Sequence, residues 1–316
     1  MTSKNNNPKG IILILTGMAL FSVQDAMIKY VYKEAALYEL YFGRTLTAAI
    51  LLLGFLILTK KKIVLKTHYP LLTLIRVILF FFGFSFFYVS LTFMSLAMAN
   101  ALFFSSPFFM SIFAKFFLKE NIGFRRWSAI FVGFVGVYIV LNPDFEDFNY
   151  FKLAPVACAF CYAASMIITK ITSEKDNVYT QMINLYIIAI FISILVFIFT
   201  GEGQNNTYTN ETMQFIFREW FTNYSYAWPI IIIMGGVASL SFYCVFSAYS
   251  IASPSVISLF EYSLLIWAIL TGYLLFDNIP TFRTFVGVTL IIGAGIYIYI
   301  REKIKDQLIV TDTPNR

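Results

Sequence analysis

Residues 77–114 read VILFFFGFSFFYVSLTFMSLAMANALFFSSPFFMSIFA, a run of 38 residues without one formal charge. As a single helix it would be about 57 Å long, nearly twice the thickness of a hydrocarbon core. It must therefore fold back, and the reversal is expected around Thr92 to Met98. The uncharged run from Trp220 to Phe260 makes the same demand, with a break expected near Ser253 and Pro254, where proline ends one helix and opens the next.

The rest of the chain repeats this composition. Of 316 residues, 59% are hydrophobic, 19% aromatic and only 13% charged, against roughly 25% charged in ordinary soluble domains. That excludes a water-soluble globule. Ten crossings of about 20 residues each would use about 200 residues, which leaves no room for a separate soluble domain. The expected spans are Gly10–Tyr30, Tyr38–Leu58, Leu71–Thr92, Ala97–Leu118, Trp127–Leu141, Leu153–Thr169, Thr180–Thr200, Ala227–Ser250, Pro254–Phe276 and Phe282–Ile300. The first resembles a signal peptide, but its length and its Asp25 and Lys29 mark it as retained.

Several function classes drop out at this point. The net charge of +6 comes from short basic clusters between apolar runs, so no nucleic-acid partner is expected. The single histidine, His68, lies in a basic connector and excludes histidine metal clusters and catalytic triads within one chain. Cys158, Cys161 and Cys244 all sit in apolar stretches and build no disulfide framework; the close pair reads as helix neighbours. No P-loop is present, so transport would draw on gradients rather than ATP, and no cofactor or metal is expected.

Lysine and arginine set the orientation. With the N-terminus inside, fifteen basic residues fall in cytoplasmic segments and only Lys33, Lys152, Arg218 and Arg283 fall opposite. Both termini are therefore expected in the cytoplasm, in a multi-pass inner (plasma) membrane protein. The long connector 201–226, acidic and without hydrophobic period, falls outside; its two glycosylation-type sequons read as chance.

An internal repeat shapes the mechanism. Leu118, Glu120, Asn121, Ile122 and Arg126 recur 157 positions later as Leu275, Asp277, Asn278, Ile279 and Arg283, with Gly136 and Gly293 ten residues beyond each arginine. The offset spans five crossings, an odd number, so the copies face opposite sides of the membrane. Such inverted duplication places a binding site between the halves near the midplane. The division expected is a tail 1–9, a first repeat 10–142, a second repeat 143–300 and a tail 301–316. The fold class is thus all-α and multi-pass, with ten transmembrane helices as two inverted five-helix repeats.

The paired turns FFLKENIGFRRW (116–127) and YLLFDNIPTFRT (273–284), together with Lys29, Arg44 and Pro107, resemble the drug/metabolite transporter superfamily in its ten-helix EamA branch. FEYSLLIWAILTGYLLFDNIP (260–280) is the most specific piece. It is similar to the ninth helix of a subgroup that includes metabolite exporters and S-adenosylmethionine uptake carriers. The resemblance covers Gly10 to Ile300 and implies cytoplasmic termini and alternating access without ATP; it does not fix the substrate.

Desolvation nominates cargo contacts without the family, because an ionised side chain at bilayer depth costs about 3 kcal/mol or more. Lys115 and Arg76 lie near helix ends, where long stems reach headgroups. Asp25 and Lys29, spaced i, i+4, meet on one helical face as an ion pair or as cargo ligands, with Ser22 extending the stripe. Arg44 pairs with Glu39 or Asp25, or contacts cargo. Glu261 has no basic residue in its span and must be protonated, paired with another helix, or facing water. Tyr262 and Trp267 supply aromatic faces beside it. Tyr88, Asn100, Ser239 and Tyr243 are softer candidates, the last two in a line with Ser247.

Two classes of function follow. The first is a secondary carrier for a small polar organic metabolite that is amino-acid-like, amine-bearing or S-adenosylmethionine-like. It would be coupled to protons or to exchange, and would sit in the lipid bilayer as a monomer or homodimer. The alternative is a membrane-embedded enzyme or scaffold acting on lipids, disfavoured because no acid, base or metal set clusters at the interface.

Overall fold

A backbone in hydrocarbon finds no water and must satisfy its own polar groups, which for a chain this apolar means helix. A computed structural model describes residues 7–119, 123–141, 150–203, 210–222, 227–277, 279 and 281–311. Except for α9 and the end of α13, its α-helices follow the apolar runs: α1 (Asn7–Val31), α2 (Leu37–Leu58), α3 (Pro70–Ser90), α4 (Leu96–Phe103), α5 (Ser106–Phe117), α6 (Phe124–Leu141), α7 (Ala154–Thr172), α8 (Val178–Thr200), α9 (Glu211–Phe217), α10 (Ala227–Ile251), α11 (Pro254–Phe260), α12 (Ser263–Phe276) and α13 (Phe282–Thr311). Seven stretches are each long and apolar enough to cross a membrane: α1, α2, α3, α4 with α5, the stretch ending in α7, α8 and α10. Shorter apolar helices follow, among them α12.

The starts have local causes. Pro70, Pro107, Pro155 and Pro254 each occupy a first turn, where the missing N–H would have had no partner. Ser95 caps α4 by accepting from the Met98 N–H at 3.2 Å, and Asn177 caps α8 through the Thr180 N–H at 2.8 Å.

Pro107 is expected to interrupt the fourth span, and the interruption lies just ahead of it, at Phe104–Ser105. Three other features depart from the sequence reading. The ninth span is interrupted at Glu261–Tyr262, where no break was expected. The C-terminal tail continues as helix to Thr311. The connector 201–226 is not featureless: Asn210, part of a sequon, caps α9 through the Thr212 N–H at 2.8 Å, and Phe215 is buried against Tyr32. The Glu120–Asn121–Ile122 part of the repeat motif, with Asn278, residues 142–149 where the halves join, and the first sequon lie outside the described residues.

Packing runs mainly between the two halves of the chain. Helix α1 lies on α10 and α12, while α7 lies on α3 and α5; α2 packs on α8, and α6 on α13. The turns sit at opposite ends. The α7–α8 turn meets the α2–α3 connector, where Asp176 accepts from the Thr67 hydroxyl, the His68 N–H at 3.0 Å and the His68 ring at 2.8 Å. The α1–α2 turn instead meets the α8–α10 connector: Lys33 pairs with Glu211 at 3.3 Å, and Arg218 donates to the Tyr32 carbonyl at 3.0 Å. Thus α1 and α7 end on opposite sides. Small residues permit the close approaches. A Cβ on Gly235 would lie 2.5 Å from Thr47 Cβ and 2.8 Å from the Arg44 carbonyl, and one on Gly83 would lie 2.7 Å from Cys161 Cβ.

Two outcomes are expected. Gly235→Val forces α10 off α2 and lowers stability by about 1–3 kcal/mol, read as a lower Tm in detergent. Burial pushes the Asp176 carboxyl up, but its hydrogen bonds from Thr67 and His68 outweigh that and hold it below the ordinary aspartate value of 3.8. A depressed folded-state value gives stability that is present above 3.8 and lost as pH falls through the lower folded value. Asp176→Ala should therefore lower Tm at pH 7, with the difference from the native chain shrinking below pH 3.8.

Candidate functional site

Inside a membrane bundle, polar side chains sort into those that have protein partners and those that do not. Lys29 has partners. Two residues before the end of α1, its Nζ donates to the carbonyls of Leu91 at 3.1 Å and Met94 at 2.7 Å, where α3 ends and turns into α4. Lys170, two residues before the end of α7, does the same for the carbonyls of Ser250 at 3.3 Å and Ala252 at 3.0 Å, where α10 turns into α11. A cation at a helix C-terminus both satisfies orphan carbonyls and opposes the helix dipole. The i, i+4 pair of Asp25 and Lys29 does not form. Lys29 is a clamp on backbone, turned from the cavity.

Arg76 also departs from expectation. It does not reach headgroups but is fully buried, donating to Gln181 Oε1 at 2.6 Å, the Gln181 carbonyl at 2.8 Å and Thr169 at 3.4 Å. Lys115 is exposed, with its ammonium 6.0 Å from the Trp127 ring centroid.

Asp25 is the contrast. It is 3% exposed, its Oδ1 has no hydrogen-bond partner among the described residues, and it lines a cavity between α1, α3, α4, α7 and α12. Phe21, Phe84, Phe87 and Phe103 surround it, with Asn100 and Tyr162 as the other polar groups. Asn100 commits its Nδ2 to the Leu96 carbonyl at 3.0 Å, which leaves its buried Oδ1 unpartnered. The empty space among its lining atoms is about 330 Å³ with open solvent counted, but it is so narrow that this conformation has room for about one water and not for a metabolite.

Glu261 lies behind Tyr162, at the interruption between α11 and α12, and is 0% exposed. Its Oε1 accepts from the Tyr162 and Tyr249 hydroxyls, each at 2.5 Å, while Oε2 has no partner among the described residues. Of the three states open to it, it takes pairing with other helices, through neutral donors. Tyr162 is the bridge: its ring faces the Asp25 cavity and its hydroxyl holds Glu261. Tyr262, the next residue, packs edge-on against Phe104 with centroids 5.2 Å apart, so the two helix interruptions touch.

On the other side of α3, Tyr88 accepts from Gln24 Nε2 at 3.0 Å and from Arg44 Nη1 at 2.9 Å. Arg44 pairs with neither Asp25 nor Glu39. The Glu39 carboxylate is taken by the Ala36 and Phe221 N–H groups at 3.2 and 3.1 Å.

Three further sequence candidates stand away from the cavity and from the groups around it. Trp267 is 42% exposed on the outer face of α12. Tyr243 is 36% exposed and stacks on Tyr179, which accepts from Lys61 at 2.6 Å. Ser239, on the same line of α10, is only half-buried. That line faces α8 because serine and tyrosine there fill a helix contact. Sequence reading missed Gln24, Tyr162 and Tyr249: Gln24 adjoins Asp25 and could have been taken with it, whereas nothing distinguishes two tyrosines among 20.

The model of a family described as EamA-like transporter family matches residues 8–142 and again 152–300. An S-adenosylmethionine uptake transporter of Rickettsia prowazekii (strain Madrid E) is 28% identical over 294 residues, 93% of each chain. A riboflavin transporter of Vibrio cholerae is 27% identical over 198 residues, 63% of this chain and 60% of that one. A solved crystal structure superposes with a TM-score of 0.70 at 14% identity, covering 93% of this chain and 98% of the other, which speaks for the fold alone.

Removing either clamp should act on stability rather than on cargo. Lys29→Met and Lys170→Met are each expected to cost about 1–3 kcal/mol, seen as lower Tm, while Trp267→Ala leaves transport unchanged. Loss of transport in Lys29→Met with native stability would show that the lysine touches cargo after all.

Proposed function

We propose, since the chain belongs to the EamA-like transporter family, that it crosses the inner membrane ten times as two inverted five-helix repeats and moves its cargo by alternating access. It is a small-metabolite transporter, not an enzyme, and the lipid-enzyme alternative falls with that membership. In this reading α4 with α5 and α11 with α12 each form one crossing, and α6 and α13 are the fifth and tenth. Support comes from the family model matching once in each half and from the paired interruptions at Phe104–Ser105 and Glu261–Tyr262, 157 positions apart. Lys29 and Lys170 clamp equivalent turns at opposite ends. The basic residues of the connectors favour cytoplasmic termini.

The cargo is a cation with a flat ring, of the S-adenosylmethionine type. One observation carries this: Asp25 presents a carboxylate oxygen without a partner into a cavity walled by phenylalanine faces. A sulfonium or ammonium group would meet that charge, and aromatic faces attract cations by about 0.5–2 kcal/mol. A neutral ring such as riboflavin would gain from the phenylalanines but not from Asp25. Asn100 and Tyr162 complete the contacts, and Glu261, behind Tyr162, carries the coupling proton.

The test is counterflow in proteoliposomes with labelled S-adenosylmethionine and labelled riboflavin. Exchange of the first and not the second is expected, with Asp25→Asn reducing it at least about tenfold. Preferential riboflavin exchange, or full activity in Asp25→Asn, would overturn the cargo assignment. Glu261→Gln should abolish the pH dependence of exchange; a variant that keeps it removes Glu261 from the proton path.

A further inference from the structure

The chain buries two arginines between its helices and treats them differently. Arg76 is surrounded by neutral acceptors, with both Nη atoms bonded to Gln181 and Nη1 also to Thr169, leaving only Nε without a partner among the described residues. Arg44, 3% exposed, has one hydrogen bond among the described residues, from Nη1 to Tyr88; its Nε has none, and no acid lies within ion-pair distance. Its guanidinium rests over the rings of Tyr41 and Tyr88, at 4.8 and 5.6 Å from their centroids, which stabilises the cation without neutralising it.

This guanidinium lines a second space of about 250 Å³ with open solvent counted, narrow enough in this conformation for at most about one water and separate from the one at Asp25, with Tyr41, Thr45, Phe80, Phe81, Leu185 and Phe242. The partition between the two is one face of α3: Phe80 and Phe84 stack at 4.6 Å, and Tyr88 continues the row one turn on. Tyr88 also keeps the charges apart, since its hydroxyl takes Arg44 from one side and Gln24, the neighbour of Asp25, from the other. An acid and a base buried in one bundle would ordinarily be drawn into a pair. Here each is held in its own compartment with open hydrogen-bonding capacity.

We propose that the Arg44 compartment is an anion subsite that takes the carboxylate of a zwitterionic, amino-acid-type cargo, while Asp25 takes its cationic end. The inference deepens the cargo reading above and rests on it for the role of Asp25. Guanidinium suits this task because its planar fork donates to both oxygens of a carboxylate, and Nε is one of the donors left over. For a single molecule to fill both compartments the Phe84 ring must rotate off Phe80, which joins them into one chamber. The cargo thereby supplies both counter-charges that the protein withholds from itself.

The test uses matched pairs that differ only in the carboxylate: S-adenosylmethionine and its decarboxylated form, methionine and 3-methylthiopropylamine, lysine and cadaverine, arginine and agmatine. Each is read by thermal shift of the full-length purified protein. In at least one pair the carboxylated member should stabilise with an apparent affinity at least about tenfold above its partner. Arg44→Gln should reduce that ratio to near one, and Arg44→Lys, which keeps the charge but loses the fork, should leave an intermediate ratio. The native protein alone is decisive if a variant does not fold. Equal shifts within every responding pair, or no shift from any compound, overturn the subsite. A ratio found in a pair other than S-adenosylmethionine upholds the subsite and overturns the cargo assignment instead.

Discussion

Lack of water around a buried polar group is the constraint from which the rest of this structure follows. In the interior of a membrane bundle a carbonyl, an ammonium or a guanidinium must find its partner within the protein. Most do. Lys29 and Lys170 close two turns, Arg76 is absorbed by Gln181 and Thr169, and Glu39 takes the N–H groups of Ala36 and Phe221. Among the described residues the atoms left over include one oxygen each of Gln24, Asp25, Asn100 and Glu261 and Nε of Arg44, with others elsewhere, such as Arg76 Nε and the indoles of Trp220 and Trp228. The first five lie around the aromatic face of α3, between the halves of the chain, and form the candidate site.

Much of the fold was legible because length and charge are one-dimensional properties. The run 77–114 could not be one helix, and the structure turns it back at Leu91–Ser95. One helix start, at Pro254, followed from proline. The interruption at Glu261 was not legible, since neither proline nor glycine marks it and FEYS reads as ordinary helix. Helix α9 was hidden for a different reason: seven residues are too few for a hydrophobic period, and its order comes from Phe215 packing under Tyr32.

The site was half legible. Desolvation selected Asp25, Arg44 and Glu261 correctly as buried, since acid or base within an apolar run has nowhere else to go. It could not tell which of them had partners, because these come from helices far away in sequence: Tyr162 is 99 positions from Glu261, and Leu91 is 62 from Lys29. Helical spacing misled for the same reason. Asp25 and Lys29 share a face, yet the lysine stem reaches past the carboxylate to the end of α3. The polar line of Ser239 and Tyr243 was real but faced α8.

The two helix interruptions are in register, but their residues are not alike. Where the first half places Phe104, the second half places Glu261, and the phenyl ring of the former packs on Tyr262 beside the latter. Under the proposed reading of two inverted repeats, identical halves would make the inward-open and outward-open forms equal in energy, related by a two-fold axis in the membrane plane. A carboxylate in one copy opposite a hydrocarbon ring in the other is then one of the differences that would tip the balance toward one side.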